Sequence, residues 1–253
     1  MPAPYANFTT QILRTSRMVF HTLYGLVVAA FVLPGQRAQR RNRIIQQWST
    51  GLLNSLEIEV VVEGESPPPG LRSTLFVANH VSWVDIHALN SVHTTRFVAK
   101  AEIRQWPLFG FFAERANTLF IEREKRHEAG RIVDNVKSAL LAGDCICFFP
   151  EGTTTDGSEI RPFKGSLLQA AIEANATVRP FSIHYPDEEN RINREMAYWG
   201  EMSLLASMRQ VIRQRRPKVV LRFASPISAG GHDRRQLTNN TRLAITRLLD
   251  LER

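Results

Sequence analysis

The chain has 253 residues, of which 43% are hydrophobic and 22% are charged, and this suits one sizeable α/β domain, alone or with a small appendage. Its formal net charge of +8 favours a polyanionic partner, either nucleic acid or an anionic lipid surface. Cys145 and Cys147, the two cysteines, lie two residues apart. This spacing excludes a C-x-x-C motif or a Cys/His metal site, and it favours buried thiols in a reducing compartment.

The first 56 residues contain six arginines and no Asp, Glu or Lys. Some of these arginines flank the apolar segment 18–33, whose 16 residues fall short of the roughly 20 needed to span a bilayer. A tilted, re-entrant or interfacial helix is therefore favoured. The alternatives are a buried core helix and a cleaved signal peptide. Arginines after Pro34 disfavour the signal peptide, because export machinery disfavours positive charge there.

Apolar runs rich in β-branched and aromatic residues predict the strands of the domain. In chain order they lie at residues 58–65, 73–79, 96–100, 117–123, a run that starts at Cys145, 178–185 and 218–227.

Helical spacing of apolar residues predicts helices between several of these strands. Pro107 is placed to open one helix, and residues 126–142 form another that Gly143 would cap. Further helices are predicted at 166–175 and 234–251. Alternating strands and helices indicate an α/β fold with a mixed, mostly parallel sheet covered by helices. We expect residues 1–56 to be a helical membrane-associating segment and residues 57–253 to be the domain itself.

Polar residues follow three of the predicted strands, at the carboxyl ends where an α/β sheet places its ligands. They are Asn79, His80 and Asp85 after the second strand, Arg123 at the end of the fourth, and Glu151, Gly152 and Thr153 after the fifth.

His80 and Asp85 are the candidates for chemistry. A neutral imidazole can take a proton from an attacking hydroxyl, and a carboxylate on its far nitrogen would fix the tautomer and stabilise the imidazolium. The alternative is that they are unrelated polar residues at a helix start. Zinc-binding spacings, the G-x-S-x-G of serine hydrolases and a complete phosphate-binding P-loop are all absent from the sequence.

The order of five blocks favours the catalytic alternative. NHVSWVD, KAEIRQWPLFG, FIER, FPEGTTTDG and VRPFSI follow one another within roughly residues 75–186. This series resembles the glycerolipid acyltransferase family, which includes 1-acylglycerol-3-phosphate acyltransferase. The family's bacterial members share a short helical N-terminal anchor, which fits the apolar segment of this chain. The resemblance implies that residues 57–253 form an acyltransferase domain.

The resemblance also assigns roles to matching residues. His80 would be the general base, Asp85 its orienting partner, and Arg123 the cation that binds the acceptor's anionic head group. The other positions that would form the acceptor site or its loops are Asn79, Ser82, Lys100, Glu151, Gly152, Thr153 and Thr154. The alternative for Arg123 is a solvated cation at a strand end, and for Glu151 a carboxylate that caps a turn.

Thr154 departs from the pattern of members that acylate lysophosphatidic acid, since many of them have arginine directly after P-E-G-T. Threonine cannot replace the charge of a guanidinium–phosphate contact. The P-E-G-T-T form resembles bacterial members that acylate lyso-ornithine lipid, which favours that acceptor or another lysolipid without a phosphomonoester. Arg161 or Lys164 would be the substitutes if the acceptor is a phosphate.

The sequence thus predicts an O-acyltransferase on the cytoplasmic face of the inner membrane, acting with a lysolipid acceptor and an anionic membrane surface rather than nucleic acid. Its acyl donor would be acyl carrier protein or coenzyme A, as the thioester co-substrate. Because a thioester is already activated, we expect neither a cofactor nor a metal. The basic run 209–222 would bind an acidic carrier protein or be a solvated helix face. The rival hypotheses are a non-catalytic lipid- or nucleic-acid-binding protein and a thioesterase.

Overall fold

The computed structural model of the protein describes residues 5–122 and 126–249. The strands in this part of the chain are β1 (Glu59–Gly64), β2 (Thr74–Ala78), β3 (Arg96–Lys100), β4 (Leu119–Ile121), β5 (Cys145–Phe148), β6 (Thr177–His184), β7 (Lys218–Phe223) and β8 (Ile227–Ser228). They form one sheet in the order β1-β7-β6-β2-β5-β3-β4, with β8 paired to β6. The strands from β6 to β4 are parallel and β7 is antiparallel to β6. The predicted mixed, mostly parallel sheet is confirmed.

Helices cover both faces of this sheet. They are α1 (Phe8–Val27), α2 (Ala38–Ser55), α3 (Val84–Val92), α4 (Phe109–Arg115), α5 (Arg126–Leu141), α6 (Leu168–Glu173), α7 (Leu204–Arg213) and α8 (Arg234–Leu248). The predicted helix at 126–142 is present as α5, and Gly143 follows it with a φ of +93°, the left-handed conformation of a C-cap glycine. The helices predicted at 166–175 and 234–251 correspond to α6 and α8.

Two predicted elements differ in the structure. The helix expected to open at Pro107 begins at Phe109, because Leu108 has a φ of +65° and ends the preceding turn. The single strand predicted at 218–227 is two strands, β7 and β8, which run beside different parts of β6. Pro226 stands in the break between them, and proline has no N–H for a sheet ladder.

Alternation along the central strands builds two separate apolar layers. In β2, Phe76 and Ala78 point into the layer that contains Leu53, whereas Leu75 and Val77 point into the opposite layer. Residues of α2, α3 and α7 complete the first layer, and residues of α5, α6 and α8 complete the second. Both faces of β2 are therefore buried, as expected for a parallel strand in the middle of an α/β sheet.

The N-terminal helices are attached to this core. Asn7 caps α1 by accepting a hydrogen bond from the backbone of Thr10 at 2.8 Å, and π-helical turns extend the helix to Val32. The helix is thus 25 residues long, not 16, and it is long and apolar enough to cross a membrane by length and composition. Phe8, Phe20 and Phe31 are all more than 70% exposed on it.

A buried arginine joins α1 to the sheet domain. The side chain of Arg14 is 2% exposed, and its guanidinium donates to the carbonyls of Ile212 (3.0 Å) and Gln214 (2.5 Å) and to the carboxylate of Glu57 (2.9 Å). Leu53 at the end of α2 lies in the core. Both helices are therefore packed on the sheet domain.

Candidate active site

Two parallel strands end at the same edge of the sheet and place two polar loops side by side. Val77 of β2 pairs with Phe148 of β5 in the ladder, so the chain leaves both strands at the same level. The loop after β2 carries His80 and the loop after β5 carries Glu151. This is the carboxyl edge of the parallel strands, where α/β sheets place their sites.

His80 and Asp85 meet at this edge. Asp85 lies in the first turn of α3, and its Oδ2 is 2.7 Å from Nδ1 of His80. The same oxygen accepts the backbone N–H groups of Val81 (2.8 Å) and Ser82 (3.0 Å). Asp85 is completely buried and the His80 side chain is 19% exposed. One carboxylate thus fixes the ring and the loop that carries it.

Two contacts orient the His80 ring, the hydrogen bond to Asp85 and a stacked aromatic ring. It stacks on Phe149 with the ring centroids 3.9 Å apart and the planes within 4°. Because Nδ1 donates to the Asp85 carboxylate, Nε2 is the nitrogen that is left to accept a proton. The arrangement therefore has the geometry of a general base with its orienting carboxylate.

Tyr185 is a third member of this group that the sequence analysis missed. Its hydroxyl donates to Oδ1 of Asp85 at 2.5 Å, and the side chain is buried just after β6. Burial, with the nearby charge of Asp85, raises the pKa of Tyr185 well above its usual value, so the phenol stays protonated and donates. The only indication in the sequence is an aromatic residue that ends the predicted strand 178–185.

Glu151 joins the two loops through their backbones. Its Oε1 accepts the N–H of His80 and its Oε2 accepts the N–H of Arg161, both at 2.9 Å. Glu151 is 4% exposed. Burial raises the pKa of Glu151, although the two N–H donors lower it. The Glu151 carboxylate therefore fixes the start of the His80 loop.

Asn79 makes a comparable contact on the other side of β2. Its side-chain Nδ2 donates to the carbonyl of Ile183 at 2.9 Å, and its Oδ1 accepts the N–H of Ile183 at 2.8 Å. Asn79 is buried, and its two side-chain hydrogen bonds to the backbone of Ile183 continue the β2–β6 pairing beyond the end of β2. Ser82, also fully buried, lies within the turn that Asp85 closes, with Oγ 3.4 Å from the N–H of Val84.

The segment 152–155 lies against the His80 loop. Gly152 has a φ of +74°, which favours glycine, and the N–H of Thr155 donates to the carbonyl of His80 at 2.9 Å. Thr153 and Thr154 are half-buried in this loop. The loop that carries the two predicted threonines is therefore attached to the His80 loop through Thr155.

Two predicted positions are less informative. Lys100 is exposed at the end of β3, and its side chain forms no hydrogen bond or ion pair with any residue in the described ranges. Arg123 lies outside the described residues. In the block between them, Gly110 has no room for a side chain, since an added Cβ would lie 2.0 Å from the carbonyl oxygen of Arg104.

An apolar cavity of about 180 Å³, partly open to solvent, lies between the N-terminal helices and the loops that follow β3. Its walls include Val28, Trp48, Ile86, Phe97 and Phe112. Phe97 stacks on Phe149 with centroids 6.1 Å apart, and Phe149 stacks on His80. Two stacked aromatic rings, Phe97 and Phe149, therefore lie between the cavity and His80.

The residues described here include no group of three or more His, Cys, Asp or Glu placed to hold a metal ion. Both cysteines are buried, and burial raises the pKa of Cys145 to about 11. What the edge of the sheet offers chemically is a proton acceptor, a wall of aromatic rings and a neighbouring apolar cavity.

Comparison with known proteins places this arrangement among acyltransferases. The family model for Acyltransferase matches residues 59–184. The chain is 35% identical to a lyso-ornithine lipid O-acyltransferase of Pseudomonas aeruginosa, over 92% of this chain and 91% of that protein. It is 34% identical to a 1-acyl-sn-glycerol-3-phosphate acyltransferase of Neisseria meningitidis, over 78% of this chain and 77% of the relative.

The fold matches a solved structure. The crystal structure of the 1-acyl-sn-glycerophosphate (LPA) acyltransferase PlsC from Thermotoga maritima superposes with a TM-score of 0.66 and 24% identity. The match covers 94% of this chain and 97% of that one. The N-terminal helices and the sheet domain therefore share one architecture with a solved protein.

Proposed function

We infer that this chain, which belongs to the acyltransferase family and is an enzyme of that class, moves a fatty acyl group from a thioester to the free hydroxyl of lyso-ornithine lipid. That it acts on a lysolipid follows from its acyltransferase relatives. The observation that carries the proposed chemistry is the contact of 2.7 Å between His80 Nδ1 and Asp85 Oδ2, with Nε2 left to accept a proton.

In the proposed reaction, His80 Nε2 takes the proton of the acceptor hydroxyl while its oxygen attacks the thioester carbonyl. The C–S bond then breaks as the tetrahedral oxyanion collapses, and the imidazolium returns the proton to the thiolate. Asp85 holds the tautomer and stabilises the imidazolium. A positioned general base contributes about 10²- to 10⁴-fold in rate. No covalent acyl-enzyme and no cofactor are needed, because the thioester of acyl carrier protein or coenzyme A is already activated.

The surrounding residues have supporting roles in this proposal. Asn79 and Glu151 keep the His80 loop in place through backbone contacts. The apolar cavity beside Phe97 suits an acyl chain, because it is lined by aliphatic and aromatic side chains. If the acceptor is lysophosphatidic acid, Arg123 would bind its anionic head group, as the family resemblance implies. Gly152, Thr153 and Thr154 would form a loop of the acceptor site.

Two observations support lyso-ornithine lipid as the acceptor. The Pseudomonas relative with that substrate in its name aligns over 92% of this chain, a larger share than the 78% of the Neisseria relative. Thr154 also stands where a second phosphate-binding arginine would stand in many lysophosphatidic acid enzymes. Lysophosphatidic acid is the second candidate, because the Neisseria relative is nearly as similar at 34% identity.

The proposed location is the cytoplasmic face of the inner membrane. The exposed apolar residues of α1 and five of the six arginines in the first 56 residues, all except the buried Arg14, suit an anionic lipid surface.

The test is acyl transfer by membranes that contain the wild type, His80→Ala or His232→Ala, a control in the loop before α8. Each receives a labelled acyl thioester and, in separate tubes, lyso-ornithine lipid or lysophosphatidic acid. We expect product from the wild type and the control with lyso-ornithine lipid, and none from His80→Ala. Equal product from all three proteins would exclude His80 as the base. Product only with lysophosphatidic acid would transfer the function to the second candidate.

A further inference from the structure

Two opposite charges that the proposed reaction does not use lie next to the His80 loop. Oδ2 of Asp156 is 3.0 Å from Nε of Arg194. The Asp156 side chain is 14% exposed and the Arg194 side chain is 65% exposed. Exposed ion pairs contribute little to folding, about 0–1 kcal/mol, so stability gives no strong reason for this one.

The backbones that carry this pair are fixed to neighbouring residues of the His80 loop. The N–H of Thr155 donates to the carbonyl of His80 at 2.9 Å, and the N–H of Tyr198 donates to the carbonyl of Val81 at 2.8 Å. An added Cβ on Gly157 would lie 3.6 Å from Ile192 and 3.7 Å from Val81, so both residues are close neighbours of the turn that follows Asp156. The pair therefore lies at the same edge as the general base.

Each charge is held in place by its neighbours. Oδ1 of Asp156 accepts the N–H (3.0 Å) and the hydroxyl (2.6 Å) of Ser158. The Ser158 hydroxyl is the main reason that the pKa of Asp156 is lowered, so Asp156 stays ionised. Glu195, next to Arg194, accepts hydrogen bonds from Tyr5 (2.8 Å) and Gln214 (2.7 Å). The turn that carries Arg194 is thus anchored to the segment before α1 and to the end of α7.

Both side chains of the pair retain hydrogen-bonding groups that a ligand could use. A guanidinium has five N–H donors and a carboxylate has about four lone-pair sites. The terminal nitrogens of Arg194 form no hydrogen bond or ion pair within the described part of the chain, and Oδ2 of Asp156 contacts only Arg194 among those residues. The pair has no net charge, so it favours a head group that also carries one positive and one negative charge.

We propose that Asp156 and Arg194 bind the zwitterionic head group of the acceptor, with its carboxylate on Arg194 and its ammonium beside Asp156. An ornithine acylated on its α-nitrogen has one free carboxylate and one side-chain ammonium, as this arrangement requires. A phosphomonoester would face the Asp156 carboxylate at the same place and gain no cation from Thr154. This inference rests on the proposed function, and it assigns the residues that select the acceptor.

The test compares wild type, Asp156→Asn and Arg194→Gln in detergent micelles with lysophosphatidic acid and with lyso-ornithine lipid, the N-acyl-ornithine whose acyl chain carries the free hydroxyl. Each variant should raise KM for the ornithine acceptor by about ten- to a hundredfold, the range for a charged hydrogen bond, and leave kcat within about threefold. Asp156→Asn should not raise KM for lysophosphatidic acid. Glu159→Gln, a neighbouring exposed carboxylate, is the matched control and should change neither constant.

Two acceptor analogues link each charge to its partner. The wild type should lose affinity for an analogue that lacks the ammonium, and Asp156→Asn should lose nothing further with it. The wild type should likewise lose affinity for an analogue whose carboxylate is a methyl ester, and Arg194→Gln should lose nothing further with that analogue. The assignment would be overturned if each variant and its matching analogue lowered affinity additively. It would also be overturned if a variant raised KM equally for the ornithine acceptor and for lysophosphatidic acid. Because the wild type itself must discriminate against both analogues, the proposal is tested even if a variant does not fold.

Failure of the proposed function can be distinguished from failure of this head-group assignment. If the wild type acylates neither acceptor, the proposed function is wrong and this assignment fails with it. If the wild type acylates N-acyl-ornithine but does not distinguish the two analogues, only the assignment fails.

Discussion

Tyr185 and Asp85 are 100 residues apart in sequence, and the hydroxyl of one lies 2.5 Å from the carboxylate of the other. This contact satisfies Oδ1 of Asp85, while Oδ2 holds the His80 ring and two backbone N–H groups. A completely buried carboxylate is thus fully hydrogen-bonded, as a buried charge must be. The strand β6 and the loop after β2 therefore support one ionised group.

Asp85→Asn should abolish most of the activity. An amide oxygen in the place of Oδ2 can still accept hydrogen bonds from the His80 ring and the loop N–H groups, but the amide carries no negative charge and so does not stabilise the imidazolium. We expect kcat for acyl transfer to fall by about two to four orders of magnitude. Tyr185→Phe is the comparison, since it keeps every contact to Oδ2, and it should lower kcat less than about tenfold. A Tyr185→Phe loss as large as that of Asp85→Asn would contradict this division of roles.

Glu151→Gln should affect both stability and catalysis. The amide nitrogen would face a backbone N–H, either that of His80 or that of Arg161, and leave it unpaired in a buried place. We expect the free energy of unfolding in denaturant to fall by about 1–3 kcal/mol, and kcat to fall with it. Glu159→Gln, at a 68% exposed carboxylate two residues from Arg161, should leave both unchanged. An unaltered unfolding curve for Glu151→Gln would contradict the proposed role.

Arg14→Met should loosen α1 from the sheet domain. The substitution leaves the carbonyls of Ile212 and Gln214 without their buried donor. Each buried carbonyl left unpaired costs about 1–3 kcal/mol, to be measured as a lower denaturation midpoint. Arg17→Met provides the matched control, because Arg17 pairs with the same Glu57 from a side chain that is 47% exposed. Its cost should be below about 1 kcal/mol, and equal costs for the two variants would disprove the distinction.

His87 should make stability depend on pH. It packs between Trp48 and Trp83, and burial lowers its pKa from 6.5 to about 4. As pH falls from 6.5 to 4, the unfolded chain binds a proton that the folded chain does not, so stability decreases over that range and levels off below it.

His87→Phe removes this titrating group. The change in the free energy of unfolding between pH 6.5 and pH 4 should then be smaller by up to about 3 kcal/mol, at about 1.4 kcal/mol per pH unit. The measurement is chemical denaturation from pH 4 to 7. Some dependence will persist, because burial also lowers the pKa of His93 and His184. Parallel curves for the wild type and the variant would show that His87 does not contribute.

Strand and helix positions within the sheet domain were largely predictable, because they depend on local patterns. The buried strands β2 and β5 are short apolar runs, and α5 has clear helical spacing before Gly143. By contrast, α7 lies in a stretch that was considered only as a basic run. The length of α1 was underestimated, because polar residues before Met18 hid the first part of the helix from an argument based on continuous apolar sequence.

The site was predictable where its residues follow strand ends, and hidden where contacts join distant segments. His80 and Asp85 are five residues apart, so a turn and a helix start bring them together. Tyr185 and Arg194 reach the same edge only through the pairing of β6 with β2 and through the loop after β6. Nothing in their own neighbourhood indicates which residue they contact. The backbone contacts of Glu151 were likewise invisible, since a sequence does not reveal which N–H groups lack partners.

The position of β1 has a consequence for how the protein is made. In the sheet β1 pairs with β7, and Glu59 is paired with Lys218. The β1–β7 ladder therefore cannot form until Lys218 has been synthesised. At about 5–20 residues per second, the ribosome needs on the order of ten seconds or more to synthesise the chain between them. The helices α1 and α2 emerge well before that, with the sheet still incomplete. A membrane surface or a chaperone can therefore bind the nascent apolar helix before the catalytic fold exists.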